Sequence, residues 1–157
     1  MFSLIISIIS IALVAALAAA TVYFGGAAFN KGAAGADASA FINAGQQIAG
    51  AFTLAATDGD NAATIAELTN VAVGTEVYLA QEPSYKGVSL VLDGATGYAA
   101  AKVTAGVCLE IVKKNGGTSV GSLAAPAGLF GCATPGAAGN LMTGSVTTDN
   151  VAFYKVK

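Results

Sequence analysis

The first thirty residues, MFSLIISIISIALVAALAAATVYFGGAAFN, carry no charged side chain. From Met1 to Phe24 there is no Gly or Pro, the small polar residues are Ser3, Ser7, Ser10 and Thr21, and the second half is largely Ala, the best helix former. At ~1.5 Å per residue this run makes a helix of roughly 36 Å, enough to cross a bilayer. Small residues recur at helical spacing: Ser3 and Ser7, then Ala12, Ala16 and Ala20, with Ala15 and Ala19 beside them. Such rows let helix backbones approach closely inside lipid. The pattern predicts a helix that packs among copies of itself through Leu4, Ile5, Ile8, Ala12, Ala16, Leu17 and Ala20. A single lipid-bathed anchor is the plainer alternative.

From Gly25 to Gly35 the pattern breaks. Gly25, Gly26, Gly32 and Gly35 fall within eleven residues, and each costs about 1 kcal/mol against Ala in a helix, so a loosened or melted segment is expected over 25–35. Beyond it Ala38, Phe41, Gly45, Ile48, Phe52 and Ala55 recur at spacings of three and four. They predict a second, amphipathic helix over 36–57, with Asp37 near its start favoured by the helix dipole and Asn43, Gln46, Gln47 and Thr53 on the other face. The DGDN turn at Asp58–Asn61 stops it, and Ala63–Leu68 reads as a short helical turn. The remainder alternates like antiparallel strands: EVYLA from Glu76, GVSLVLD from Gly87, YAAAKVTA from Tyr98, VCLEIVKK from Val107 and VAFYKVK from Val151. NGG from Asn115 marks a turn, and a Gly/Ala/Pro-rich stretch covers 121–140.

The fold class is therefore α+β: a long N-terminal helix, in a membrane-spanning or core half and an amphipathic half, packed on a small antiparallel sheet. Residues 1–57 form a helical stalk, divided into 1–24, 25–35 and 36–57, and 58–157 form one globular β-rich head. With 157 residues there is room for one such domain.

Composition narrows the chemistry. Charged residues make up 10% of the chain, against about a quarter in a typical soluble domain, which suits a surface buried between subunits. The net charge is −2 and all basic residues are Lys, so no basic stripe exists to neutralise a phosphate backbone, and direct nucleic-acid binding is not expected. His is absent, which removes the usual general base, triad partner and metal ligand together. Gly117–Gly121 matches the spacing of a nucleophile elbow around Ser119 but lacks that partner. Asp58 and Asp60 open like a calcium loop, yet Ala62 stands where a third oxygen ligand belongs and Glu67 comes early. No catalytic, cofactor or metal site is expected, and the two cysteines do not make a zinc site.

Cys108 and Cys132 follow a membrane-entry segment, the context in which thiols meet an oxidising compartment. They read as one disulfide closing the loop 108–132, with two free buried thiols as the alternative. The aromatics Phe2, Tyr23, Phe24, Phe29, Phe41 and Phe52 along the helical portion read as packing anchors rather than a conducting stack.

An uncharged helical N-terminus without a basic leader, an amphipathic second half, a strand-rich head and a distal cysteine pair together resemble a processed type IV pilin. The type IVb and related pilins are the nearest group, and the segment FNKGAAGADASAFINAGQQIAGAFTL from Phe29 to Leu54 looks like the lower half of such a pilin's long helix. The resemblance implies a structural subunit, not an enzyme. It implies a prepilin peptidase that leaves Met1 as the mature N-terminus, an inner-membrane assembly machinery, residence in the inner membrane before assembly, and then a homopolymeric extracellular filament on a bacterial surface. It also implies that Cys108 to Cys132 encloses a loop on the outer face of the head, and that Gly25, Gly26, Gly32 and Gly35 serve as the point where the helix melts. The chain departs from the family pattern at Ile5, where Glu is usual, and at Val22, where Pro is common. A secreted or membrane-tethered binding module, with the helix as anchor or cleaved signal, is the alternative from another class; a minor pilin or pseudopilin is the alternative within the family.

Overall fold

A computed structural model describes residues 2–60, 62–69, 76–93, 97–117, 129–133 and 150–157. The chain divides into two compact units, Met1–Ala34 and Gly35–Lys157. Helix α1 runs from Phe2 to Asp58 and so contributes to both. Among the described residues the second unit adds two short helices and six strands, a class of fold in keeping with the α+β expectation.

Within the second unit, α1 buries Ala38, Phe41, Ala44, Gly45, Ile48, Ala51, Phe52 and Ala55. The six positions of the sequence-derived stripe are all among them. Phe41 and Ile48 are fully buried, and Phe41 meets Tyr85 edge-on with ring centroids 6.1 Å apart. The helix stops at a Schellman motif. Gly59 takes φ +84°, its N–H donates to Ala56 O, and the Asp60 N–H donates to Ala55 O at 2.8 Å.

The main sheet is antiparallel in the order β3 (Val91–Asp93), β4 (Tyr98–Val103), β6 (Asn150–Lys155), β5 (Phe130–Ala133). Its register sets Ala99 opposite Tyr154 and Cys132 opposite Ala152 on one face, and Ala100 and Gly131 opposite Phe153 on the other. Strand β4 is buried on both faces except at Lys102, which explains a run of three alanines where a one-sided strand would alternate. A separate hairpin pairs β1 (Ser84–Tyr85) with β2 (Val88–Ser89). Its turn holds Lys86 at φ +51° and Gly87 at φ +77°, the pair of left-handed conformations a two-residue hairpin requires. Lys86 Nζ then reaches Asp37 Oδ2 at 2.6 Å and fastens the hairpin to α1.

Four expectations are corrected. The glycine-rich segment 25–35 is helical, continuous with both sides. A Cβ placed at Gly25, Gly26, Gly32 or Gly35 would meet nothing within 4 Å, so the glycines cost intrinsic propensity only; breaking a helix in its middle forfeits several backbone bonds and the cooperativity of a formed helix. The segment from Val107 is helix α3 (Ala105–Lys114), not a strand. Residues 76–80 form no strand: the N–H groups of Tyr78 and Leu79 both donate to Leu68 O, at 3.1 and 3.0 Å, tying the segment to the end of α2 (Ile65–Thr69). The GVSLVLD strand divides into β2 and β3 around the buried Leu90.

Candidate assembly surface

Every residue from Phe2 to Ala33 is exposed. The large apolar side chains among them are Phe2, Leu4, Ile5, Ile6, Ile8, Ile9, Ile11, Leu13, Val14, Leu17, Val22, Phe24 and Phe29, with Tyr23 alongside. Such an uninterrupted apolar surface is far beyond the scattered exposure of a soluble monomer and marks a place that something else covers. The helix is long and apolar enough to cross a membrane.

Three hydroxyls of this segment are turned inward. Ser7 Oγ donates to Ser3 O at 2.9 Å, Ser10 Oγ to Ile6 O at 2.8 Å and Thr21 Oγ1 to Ala18 O at 2.9 Å. Each hydroxyl is satisfied by the helix backbone a turn earlier, which removes the cost of placing it in lipid or against another apolar helix.

The sequence-predicted packing residues are all on the surface: Leu4, Ile5, Ile8, Ala12, Ala16, Leu17 and Ala20 are exposed. The structure adds a second thin face that sequence spacing had not singled out. Ser10, Ile11, Val14, Ala15 and Ala18 line a shallow apolar groove of about 370 Å³. At about 100° per residue, Ala16 and Ala18 point to nearly opposite sides of the helix, as do Ala12 and Ser10 or Val14. The row Ala12–Ala16–Ala20 and the groove around Val14 are therefore two approach faces, not one.

In the second unit the remaining sequence candidates take structural roles. Cys108 and Cys132 form a disulfide with Cα atoms 5.4 Å apart, joining α3 to β5; Asn115 Nδ2 donates to Phe130 O at 2.7 Å beside it. Glu67 closes a capping box at α2. Its carboxylate accepts the N–H groups of Ala63 and Thr64, and Thr64 Oγ1 accepts the Glu67 N–H. Those bonds, led by Ala63, hold its carboxyl below the usual range. Asp60 Oδ2 accepts the Tyr78 hydroxyl at 2.8 Å, and that bond, with desolvation and the charges of Asp60 and Asp58, pushes the phenol well above its ordinary value. Among the described residues no group of three or more His, Cys, Asp or Glu side chains is placed to hold a metal ion. Thr118–Gly121 of the elbow-like stretch, and Met1, lie outside the described residues.

A second recess, about 410 Å³, opens beside Phe52, Ala56, Asp60, Ala62 and Lys157. The chain's own lysine bridges it: Lys157 Nζ donates to Ala62 O at 2.6 Å and lies 4.6 Å from the centroid of the Phe52 ring. What stands out among the described residues is thus the exposed apolar run of α1. No family model, curated protein or solved structure matches this chain.

Proposed function

We propose that this chain is a structural subunit of the type IV pilin kind, which polymerises through its N-terminal helix into an extracellular filament. The observation that carries the reading is the Phe2–Ala33 surface: fully exposed, uncharged until Lys31, with the hydroxyls of Ser7, Ser10 and Thr21 satisfied internally. A permanent lipid anchor would use such a surface only as bulk. Two thin faces on nearly opposite sides offer each helix a neighbour on both, which is the requirement of an open polymer rather than a closed dimer. In lipid the starting state is already apolar, so close packing, not hydrophobic transfer, would drive the association. The disulfide-braced β-rich unit supports the same reading as the part left to face solvent. Before assembly the helix would reside in the membrane. The polymer's partners would be a peptidase that releases the N-terminus and a membrane machinery that extracts the subunit.

The test is electron microscopy of the fraction sheared from the producing cell, with mass spectrometry of its N-terminus. Filaments whose main subunit begins at or near Met1 are expected. Monomers without fibres, or a mature chain beginning near Thr21, would overturn the reading in favour of a secreted or tethered binding module. The abundance of the chain in the fibre separates a major pilin from a minor one.

A further inference from the structure

Asn115–Gly116 is the one Asn-Gly pair in the chain. With no side chain on the second residue, the Gly116 peptide nitrogen can reach the Asn115 side-chain carbonyl carbon with little hindrance, the arrangement in which an asparagine cyclises onto its own backbone. The step needs only the chain and one water. Gly116 N gives up its proton and bonds to Asn115 Cγ, the Cγ–Nδ2 bond breaks, and Nδ2 leaves with that proton as ammonia. Water then opens the five-membered imide to aspartate or isoaspartate.

In the folded chain both reacting groups are held away from this path. The Gly116 N–H donates to Lys113 O at 3.0 Å and the Gly117 N–H to Val112 O at 2.9 Å, with Gly116 at φ +80° and Asn115 at φ −88°, ψ 8°. The leaving group, Asn115 Nδ2, donates to Phe130 O at 2.7 Å, so the side chain reaches across to β5 instead of back along its own backbone. Both residues are exposed, and solvent base and water reach them without unfolding. Geometry alone protects the pair. Part of that geometry belongs to α3, but the Phe130 carbonyl belongs to β5, and β5 is joined to α3 by Cys108–Cys132, whose Cα atoms are 5.4 Å apart.

We infer that Asn115 is a deamidation site gated by the disulfide: the closed bridge protects the pair, and opening it releases Asn115 to cyclise. The product reinforces the change. Aspartate at this position has no hydrogen to donate to Phe130 O and sets an anion against that carbonyl, while isoaspartate adds a backbone methylene to the helix stop. The α3–β5 junction is therefore weaker even after the disulfide reforms, and a passing reduction leaves a lasting mark. Nothing in this depends on whether the chain polymerises.

The experiment incubates the full chain in detergent at mildly alkaline pH, with and without a phosphine reductant, and follows the mass gain of about 1 Da at Asn115 by peptide mass spectrometry. Because both cysteines are buried, the variant Cys108→Ser, Cys132→Ser is followed beside the reduced wild type. Asp58–Gly59 is the internal reference. It has the same kind of helix stop, with Gly59 at φ +84°, and lies outside the loop that the disulfide closes. Loss of the disulfide should speed conversion at Asn115 by about tenfold or more, through local opening of the junction, while isoaspartate formation at Asp58 stays level. Equal rates at Asn115 with and without the bridge would overturn the gate. So would a parallel rise at both sites, which reports general unfolding, or a difference that persists in urea, where the fold no longer protects either form. Asn115→Asp with the disulfide intact should raise amide exchange at Gly131 and Cys132 by about tenfold; unchanged exchange there would remove the claim that the product weakens the junction.

Discussion

Gly45 of α1 lies directly under the ring of Tyr154 in β6, so close that a Cβ on Gly45 would stand 2.7 Å from Tyr154 Cβ. The contact lets the helix backbone sit against the sheet face that also carries Ala99, Ala152 and Cys132. Tyr154 in turn stacks on Phe130 of β5, with planes 5° apart, which ties the edge strand to the same contact.

Gly45→Ala should therefore destabilise the second unit by about 1–3 kcal/mol through overpacking, although Ala improves helix propensity by up to about 1 kcal/mol. Gly50, on the same helix with nothing within 4 Å of a Cβ, provides the opposite sign: Gly50→Ala should stabilise by up to about 1 kcal/mol. Denaturant unfolding of the full chain in detergent, followed by near-ultraviolet dichroism, reads both. A neutral Gly45→Ala would mean that Tyr154 moves aside freely.

The disulfide spans 24 residues, and on the chain-entropy model a loop of that size contributes roughly 3–3.5 kcal/mol. Reduction, or replacement of Cys108 and Cys132 together by Ser, should lower the melting temperature by roughly 10–20 °C. The loss should show first at β5, whose other ties to α3 include the Asn115–Phe130 bond. Amide exchange of Gly131 and Cys132 under reducing conditions measures it.

Legibility followed the strength of periodicity. The 3.6-residue stripe from Ala38 to Ala55 was readable because α1 buries one face there, whereas β6, buried on both faces from Val151 to Tyr154, was readable from its β-branched and aromatic residues. Helix α3 misled because Val107, Leu109 and Ile111 alternate and are strand formers, while the same window also places Val107, Cys108, Ile111 and Val112 on one helical face, the four that are buried. The deciding signals were local. Thr104 caps the start by accepting the Val107 N–H at 3.5 Å, Lys113 and Lys114 sit in the last turn, and Gly116 at φ +80° carries a Schellman stop through Gly116 N–H to Lys113 O and Gly117 N–H to Val112 O. The turn that NGG marks is the stop of this helix. The T-x-x-E capping box at Thr64–Glu67 was likewise open to sequence reading. Strand β5 was not: FGCA lies in a Gly/Ala/Pro-rich stretch, and its pairing with β6 is a long-range fact that no local pattern carries. The association surface was legible as composition, its second face only by placing Ser10, Val14 and Ala18 around the helix.

Alkaline pH should weaken the second unit. The Tyr78 phenol is raised chiefly by its bond to Asp60, the Tyr85 phenol by burial and then by Asp37, and the Lys86 ammonium by its bond to Asp37. A group whose folded pKa is raised holds its proton longer when folded, so the unfolded chain releases protons first as pH passes about 10. The contribution is fully present below that value and is lost as pH climbs through the folded pKa values. Urea midpoints should stay level from pH 7 to 9 and fall beyond about 10. Tyr78→Phe should lower the midpoint at neutral pH and flatten its alkaline fall; an unchanged alkaline slope would show that the Asp60 bond does not form in solution.

The continuity of α1 through Gly25, Gly26 and Gly32 makes a prediction about where the helix opens. These glycines touch nothing, so replacing all three by Ala removes no contact and adds no clash. Each change should gain about 1 kcal/mol of helix propensity, and each kcal/mol is about a fivefold change in a local opening equilibrium. In detergent micelles the far-ultraviolet spectrum should stay the same, because the wild-type segment is already helical, while amide exchange over residues 25–33 slows by one to two orders of magnitude, on the order of 10–100-fold. Unchanged exchange would mean that tertiary or lipid contacts, not glycine propensity, hold the segment. If the proposed filament extends under load by melting this stretch, the triple variant should also give stiffer fibres, and extension equal to the wild type would place the compliance elsewhere in the chain.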